Sequence, residues 1–222
     1  METCRLNVHY SRREELFNGI IHIVGAVIGV AALALGIVFV SIHQQGAIAV
    51  LSMITYGIGL TVQYSMSATY HLMRDGERRR KFQTLDHCSI YLLIAATYTP
   101  YCLILMNHLA AGWILFGIVW VVAIMGVILN AVNRHNKIVR IFTVISYVGL
   151  GWCFVFVFGH MSYLLGTLGL LFMLIGGAIY TVGVIFYVIS QKKRYYHSVW
   201  HVFVVVGSLF FFFSILFYVV IN

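Results

Sequence analysis

The stretch NGIIHIVGAVIGVAALALGIVFV, residues 18–40, decides the fold class, because it continues for 23 residues without a charged side chain. A helix needs about 20 apolar residues to cross the hydrocarbon core of a bilayer. Six further runs of similar length follow, and the sequence predicts transmembrane helices at about 18–40, 47–72, 87–106, 112–132, 139–159, 163–189 and 197–221. Since these runs fill most of the chain, we expect one domain over residues 1–222, an all-α membrane protein folded as a seven-helix bundle.

The composition excludes the main alternatives to a helical membrane protein. Hydrophobic residues make up 62% of the chain and charged residues only 9%, with a mean hydropathy of +0.96. A water-soluble domain would lack polar residues for its surface. A transmembrane barrel is also disfavoured, because its strands alternate in hydrophobicity over about ten residues, whereas these apolar runs are long and continuous.

The basic residues predict the orientation in the membrane. All fourteen lie before the first predicted span or after the second, fourth and sixth. They are Arg5, Arg12, Arg13, Arg74, Arg78, Arg79, Arg80, Lys81, Arg134, Lys137, Arg140, Lys192, Lys193 and Arg194. Since cytoplasmic loops carry the excess of lysine and arginine, we expect a cytoplasmic N-terminus, an extracytoplasmic C-terminus and an odd number of spans. The net charge of +8 thus indicates a multi-pass protein of the plasma membrane, with no nucleic acid as partner.

Two histidines open the last predicted span. His197 and His201 stand four residues apart and therefore share one face of a helix. Ionisable residues within a span cost about 2.5–3.5 kcal/mol on insertion scales and usually mark a function. The alternative is that both imidazoles only cap the span or meet lipid headgroups.

Polar side chains also stand at the cytoplasmic ends of the first three predicted spans. They are Glu15, Asn18, His22, Ser67, His71, Asp86 and His87. A catalytic zinc site uses three protein ligands and leaves one position open, which His71, His197 and His201 would satisfy. Asp86 would then hold a water molecule and Ser67 would donate a hydrogen bond beside His71. The alternative for Asp86 is an N-cap of the third span. Glu15, His22 and His87 have no role assigned.

Several of these motifs, in order, carry a resemblance to a known family. They are Glu15-x2-Asn18-x3-His22, Ser67-x3-His71, Asp86-His87 followed by Ala96-Thr97-Tyr98-Thr99-Pro100, and His197-x3-His201. Over nearly the whole chain the sequence resembles the hemolysin III family, the bacterial branch of the progestin and adipoQ receptors. The resemblance implies a seven-helix bundle with a cytoplasmic N-terminus. It also implies zinc held by His71, His197 and His201, with Asp86 and Ser67 beside the metal.

The wider superfamily includes alkaline ceramidases, which hydrolyse a lipid amide. We therefore expect a zinc-dependent hydrolase of a lipid amide or ester, with Asp86 and Ser67 as catalytic residues and a membrane lipid as substrate or ligand. One alternative is a channel-like or cytolytic protein in which zinc only joins helices. Another is a sensor that binds lipid without turnover. The lipid, the metal identity apart from the resemblance, and the oligomeric state stay open.

Overall fold

A computed structural model describes residues 10–133 and 136–221 of the chain, and within these ranges all regular secondary structure is helical. The α-helices are α1 (Arg12–Ile42), α2 (Gly46–Leu72), α3 (Glu77–Pro100), α4 (Ala110–Asn133), α5 (Lys137–Gly151), α6 (Phe158–Ser190) and α7 (Tyr196–Ile215). π-Helical turns extend α3 (Tyr101–Leu105) and α7 (Leu216–Val220), and a 3₁₀ turn (Cys153–Val157) joins α5 to α6. Two residues used in the orientation argument, Arg5 and Arg134, lie outside the described ranges.

Six helical segments of the described chain are long and apolar enough to cross a membrane. They are Arg12–Ile42, Gly46–Leu72, Glu77–Leu105, Ala110–Asn133, Lys137–Ser190 and Tyr196–Val220. The prediction of an all-helical, multi-pass membrane protein is confirmed. The number of segments differs from the predicted seven because residues 160–162, expected to form a loop, are helical and join the fifth and sixth predicted spans. Within that joined segment Gly166 has φ 64° and ψ 178°, which is not a helical conformation.

Two hydrogen bonds define the ends of the bundle. Glu14 at the start of α1 accepts a hydrogen bond from the backbone N–H of Tyr195, just before α7, at 2.7 Å. At the other end Gln45, between α1 and α2, donates through Nε2 to the carbonyl oxygen of Val220 at 2.8 Å. The starts of α1 and α7 therefore lie together at one end, and the last turn of the chain lies at the opposite end.

The first turn of α1 is held by its own side chains. Ser11 is the N-cap, its side chain accepts from the backbone of Glu14, and the Glu14 side chain accepts from the backbone of Ser11. This reciprocal pair satisfies amide groups that the helix leaves unpaired. Because Glu14 also binds Tyr195, which has a left-handed φ of 65°, the same carboxylate fixes the path of the chain into α7.

The start of α3 rules out the alternative role of Asp86 as an N-cap. The helix begins at Glu77, ten residues before the predicted span, so Asp86 lies in its third turn and is not an N-cap. Asp86 is buried there. A carboxylate buried in the middle of a helix costs free energy unless it is paired or hydrogen-bonded, which makes Asp86 a stronger functional candidate.

Close contact between α1 and α2 depends on glycine, which leads to a stability prediction. A Cβ atom added to Gly29 would lie 2.8 Å from the backbone nitrogen of Thr61 and 3.1 Å from the carbonyl carbon of Leu60. Backbone atoms cannot move aside as a flexible side chain can, so we expect Gly29→Ala to destabilise the protein by about 1–3 kcal/mol. Thermal unfolding of the purified protein in detergent would measure the loss.

Gly117→Ala is the matched control, because an added Cβ at Gly117 in α4 meets no atom within 4 Å. Alanine is the better helix former by about 0.5–1 kcal/mol, so this variant should unfold at the wild-type temperature or above it. Equal unfolding temperatures for Gly29→Ala and the wild type would contradict the packing argument.

Candidate metal centre

Three histidines from two helices converge at the end of the bundle where α1 and α7 begin. His71 lies in the last turn of α2, and His197 and His201 lie in the first two turns of α7. Their ligand nitrogens all lie within 4.8 Å of one another. His71 and His201 are buried and His197 is partly buried. The structure thus brings together the three residues that the sequence singles out, and their geometry could hold a metal ion.

The spacing of the two buried imidazoles fits a shared ion. The Nε2 atoms of His71 and His201 are 3.0 Å apart. Two nitrogens bound to a tetrahedral zinc at about 2.0–2.1 Å lie roughly 3.3 Å apart, so a small adjustment would let both bind the same ion. The other ring nitrogen of His201, Nδ1, is buried without a hydrogen-bond partner among the described residues.

A carboxylate from α1 orients His71. Glu15 Oε2 accepts a hydrogen bond from His71 Nδ1 at 2.6 Å. With its proton on Nδ1, the ring directs the Nε2 lone pair towards His201. Histidines that bind metals commonly donate their second ring nitrogen to a carboxylate in this way. The arrangement therefore prepares His71 as a ligand through Nε2.

Arg79 in α3 holds Glu15 from the other side. Its guanidinium binds Glu15 Oε1 and also donates to Asp75 at 2.6 Å. The same group lies 4.9 Å from the ring centre of Tyr70, within the range of a cation–π contact. The Glu15 carboxylate of α1 thus contacts both His71 of α2 and Arg79 of α3.

His197 is fixed mainly by ring contacts. Its imidazole stacks on Tyr10, with ring centres 4.9 Å apart, and meets the His201 ring edge-on at 4.4 Å. The path of the chain before it depends on Glu14, which binds the backbone of Tyr195. The start of α1 therefore positions both His197, through this turn, and His71, through Glu15.

Asp86 lies in a separate hydrogen-bond network on α2 and α3. Gln63 donates through Nε2 to Asp86 Oδ1 at 3.2 Å, and Ser89 donates to Gln63 Oε1 at 2.7 Å. Asp86 is not one of the residues whose ligand atoms group within 4.8 Å in the described chain. Asp86 thus lines the same cavity as His197 and His201, and an amide orients its carboxylate.

Asn18, His22 and Ser67 are buried, and His22 and Ser67 line the same cavity as His201. The His22 ring lies 4.2 Å from the His201 ring, centre to centre, and nearly perpendicular to it. The side-chain polar atoms of all three residues have no hydrogen-bond partner among the described residues. His87 is placed differently, since its ring lies 6.4 Å from that of Tyr187 and outside the histidine group.

A cavity of about 910 Å³ joins these groups. Its polar end is lined by His22, Ser67, Asp86, His197 and His201. Its apolar part is lined by Leu93, Val148, Met161, Met173 and Phe211, among other residues. Residues at the charged end of the bundle, including Arg12 and Arg74, also line it, so the cavity reaches the protein surface. This shape suits a molecule with a polar head and an apolar chain.

Three contributors to the site, Glu15, Gln63 and Arg79, have no role assigned from the sequence. Glu15 was one of the residues without a role, although its spacing with Asn18 and His22 put all three on one helix face. Gln63 stands four residues before Ser67 and eight before His71, on the same face of an otherwise apolar span. Polar residues repeated every four residues in an apolar span are the sequence signal that could identify Gln63.

The sequence is similar to one known protein family and to several known proteins. Residues 10–212 match the family described as Haemolysin-III related. Hemolysin-3 of Bacillus cereus is 36% identical over 209 residues, which cover 93% of this chain and 92% of that protein. A Hemolysin-3 homolog of Bacillus subtilis (strain 168) is 31% identical over 211 residues, covering 95% and 97%. The human Monocyte to macrophage differentiation factor is 28% identical over 162 residues, covering 69% and 64%.

Proposed function

Because the chain belongs to the Haemolysin-III related family, we propose that it is a zinc-dependent hydrolase of a lipid amide or ester in the plasma membrane. One observation carries the proposal: three histidines with ligand nitrogens within 4.8 Å of one another lie at the polar end of a cavity that continues between apolar side chains. The polar end would take the scissile group and the apolar part an acyl chain.

The proposal includes seven passes with a cytoplasmic N-terminus. An odd number is supported by the two end contacts, Glu14 with Tyr195 and Gln45 with Val220. The segment Lys137–Ser190 would be about 80 Å long as one helix, far more than the roughly 30 Å of a bilayer core. Trp152 donates to Thr181 at 3.0 Å across the non-helical Gly166, which supports two passes that reverse near this glycine.

His71, His197 and His201 would hold the zinc. The fit rests on the 3.0 Å separation of the Nε2 atoms of His71 and His201, on the carboxylate of Glu15 behind His71, and on the buried, unpaired Nδ1 atom of His197. Zinc supplies Lewis acidity when bound, which polarises a carbonyl group and makes water a stronger acid.

Asp86 would act as the general base and then as the general acid. Its carboxylate takes a proton from the attacking water and delivers it to the leaving nitrogen or oxygen as the acyl bond breaks. Gln63 donates through its amide to Asp86 Oδ1 and so orients the carboxylate. Ser67, buried beside the histidines, would donate a hydrogen bond to the substrate.

Release of fatty acid is the decisive measurement. The purified protein, loaded with zinc, would be incubated with ceramides, N-acyl amides and lysolipids, and we expect fatty acid from at least one class. Removal of zinc by a chelator should stop the release and added zinc should restore it. Stoichiometric zinc without fatty acid from any of these lipids would reject the hydrolase.

The name of the Bacillus relatives, Hemolysin-3, favours a permeabilising protein as the second candidate. In that case zinc would only join α2 to α7. Leakage from liposomes that survives Asp86→Ala, but is lost when the histidines are replaced, would favour this function over hydrolysis. Lipid binding without fatty acid release or leakage would instead indicate a sensor.

Glu15→Gln should weaken zinc binding without removing a ligand. The amide keeps the size of the side chain but loses the charge that orients His71, and such changes typically cost 10–100-fold in metal affinity. Competition with a fluorescent zinc chelator would measure the affinity. Glu77→Gln is the control, since Glu77 pairs with Lys81 at an exposed site in α3 and should leave the affinity unchanged. An unchanged affinity in Glu15→Gln would contradict the role given to Glu15.

A further inference from the structure

Four arginines line the mouth of the cavity at the end of the bundle where the histidines lie. They come from the starts of α1 and α3 and from the connection after α2: Arg12, Arg74, Arg79 and Arg80. Arg79 is partly buried, whereas the other three are exposed. The proposed hydrolysis gives these exposed cations no part, although they stand at the entrance to a largely apolar cavity.

The acidic side chains at this mouth are already engaged by Arg79. Its guanidinium binds Glu15 and also donates to Asp75 at 2.6 Å. In the part of the chain that the structure describes, none of the other three arginines forms an ion pair. Asp86, the remaining acidic residue of the lining, accepts a hydrogen bond from Gln63. The mouth thus carries three exposed positive charges without an acidic partner among the described residues.

The three exposed arginines flank this ion network. Arg12 stands three residues before Glu15, on the same face of α1. Arg74 precedes Asp75 in the chain, and Arg80 follows the arginine that binds it. Since the network draws together α1, the end of α2 and the start of α3, the three long side chains can reach a single anionic group at the entrance.

One face of α3 connects this entrance to the apolar part of the cavity. Lining residues follow one another along it at intervals of three or four positions: Arg80, Gln83, His87, Ile90 and Ile94. At 1.5 Å per residue, Arg80 lies about 9 Å from Asp86 and about 21 Å from Ile94 along the helix axis. An amphiphile with its chain beside Ile94 and its acyl linkage near Asp86 would therefore present its head to the arginines.

The arginines define the head that this entrance would accept. A guanidinium group offers only N–H donors, and their fork matches the oxygens of a carboxylate or a phosphate. A phosphate monoester carries more negative charge and more free oxygens than a carboxylate, so it suits a group of three guanidinium ions better. An uncharged amide or alcohol head would leave these charges without a partner.

The positive-inside rule alone does not account for this arrangement. The rule concentrates basic residues at one end of a membrane protein, but it does not direct them to a cavity. Arg13, Arg78 and Lys192 satisfy the rule as exposed residues that take no part in the cavity lining of the described structure. They also provide a control that matches the three arginines in charge and exposure.

We propose that Arg12, Arg74 and Arg80 bind the phosphate headgroup of an acyl lipid whose chain occupies the apolar part of the cavity. The proposal rests on the proposed function for the choice of a lipid, and it names the class of headgroup, an acidic phosphate ester. The three arginines would determine specificity by contacting the head, at a distance from the acyl group that reacts.

Competition for a photoactivatable lysophosphatidate tests this proposal without catalysis. Metal-free, full-length protein in phosphatidylcholine nanodiscs is crosslinked to a lysophosphatidate that carries a diazirine in its acyl chain. The unlabelled competitors, 1-oleoyl lysophosphatidate and 1-oleoyl glycerol, share the chain and the ester. We expect the lysophosphatidate to compete at a concentration about tenfold lower or less, because its phosphate adds charge-assisted hydrogen bonds. The crosslinks should map to apolar lining residues such as Ile94.

Two triple variants show whether the arginines cause this preference. Arg12→Gln/Arg74→Gln/Arg80→Gln should reduce it to about threefold or less and leave competition by 1-oleoyl glycerol unchanged, because only the charged contacts are lost. Arg13→Gln/Arg78→Gln/Lys192→Gln removes the same charge outside the cavity and should keep the preference. If the first triple variant does not fold, Arg74→Gln alone should reduce the preference by about twofold or more.

A soluble competitor separates a lipid site from a site for free phosphate esters. Glycerol 3-phosphate has the head without the chain, and it should not displace the crosslinker at the concentrations at which lysophosphatidate does. Equal competition by both compounds would overturn the lipid assignment.

The outcomes distinguish this proposal from the proposed hydrolase. A preference that only the variant of the cavity arginines loses supports the phosphate site, even if the zinc-loaded wild type releases no fatty acid. Equal competition by the two oleoyl lipids in the wild type overturns the phosphate site, even if the zinc-loaded protein releases fatty acid from a neutral lipid. A preference that both triple variants lose equally would reflect the overall charge of this end and would also overturn it.

Discussion

His201→Ala is expected to abolish stoichiometric zinc binding. His201 is one of only three residues in the histidine group, and its Nε2 atom lies 3.0 Å from that of His71. Losing a residue that merely orients a ligand typically costs 10–100-fold in affinity, so losing the ligand itself should cost more than about 100-fold. Zinc content after dialysis and competition with a chelator would measure the change.

The chain offers a matched control for this experiment. His43→Ala removes an exposed histidine from the connection between α1 and α2, at the opposite end of the bundle, and should leave the zinc content unchanged. Fatty acid release should fall together with zinc in His201→Ala and stay at the wild-type rate in His43→Ala. A His201→Ala protein that retains one zinc at wild-type affinity would show that the ion is bound elsewhere.

Asp86→Asn should remove catalysis but not the metal. The amide has the shape of the carboxylate and can still accept the hydrogen bond from Gln63, but it cannot take a proton from water. General acid–base catalysis contributes typically 10²–10⁴-fold, so we expect kcat for fatty acid release to fall by about that factor. Steady-state kinetics on zinc-loaded protein would measure it.

The zinc content distinguishes a catalytic role of Asp86 from a role as a metal ligand. Asp86 lies outside the histidine group, so Asp86→Asn should bind zinc as the wild type does. Ser89→Ala, which removes a hydroxyl from the Asp86 network but leaves the carboxylate, should lower kcat far less. Loss of zinc in Asp86→Asn would mean that Asp86 is a ligand, and an unchanged kcat would remove it from the mechanism.

The apolar runs predicted most of the helices because length and continuity of apolar residues are the properties that a bilayer selects. The apolar runs did not predict the start of α3. Residues 77–86 are polar and have the hydropathy of a loop, although the arginine, lysine, glutamine and leucine among them favour helix. The apolar runs also predicted a loop at residues 160–162, where the chain is helical and the irregular residue is Gly166.

The histidine group can be predicted from the sequence by simple rules, but the side-chain contacts around it cannot. Helix periodicity put His197 and His201 on one face, and the charge distribution put His71 at the same end. The bond from His71 to Glu15 and the place of Arg79 behind it depend on helix rotation and side-chain direction, which spacing within one helix does not specify. The hydrogen bond from Gln63 to Asp86 likewise joins two helices, so spacing within one helix does not predict it.

The cavity has a consequence for how any rate on this protein must be measured. Its apolar part lies between membrane-spanning helices, so a lipid chain bound there, as proposed, would leave one apolar surrounding for another. Each methylene group stays out of water in both states and contributes little of the roughly 0.8 kcal/mol that transfer from water would give. The rate should therefore depend on the mole fraction of lipid in the micelle or bilayer. Adding inert detergent at a constant total lipid concentration should slow the reaction by surface dilution.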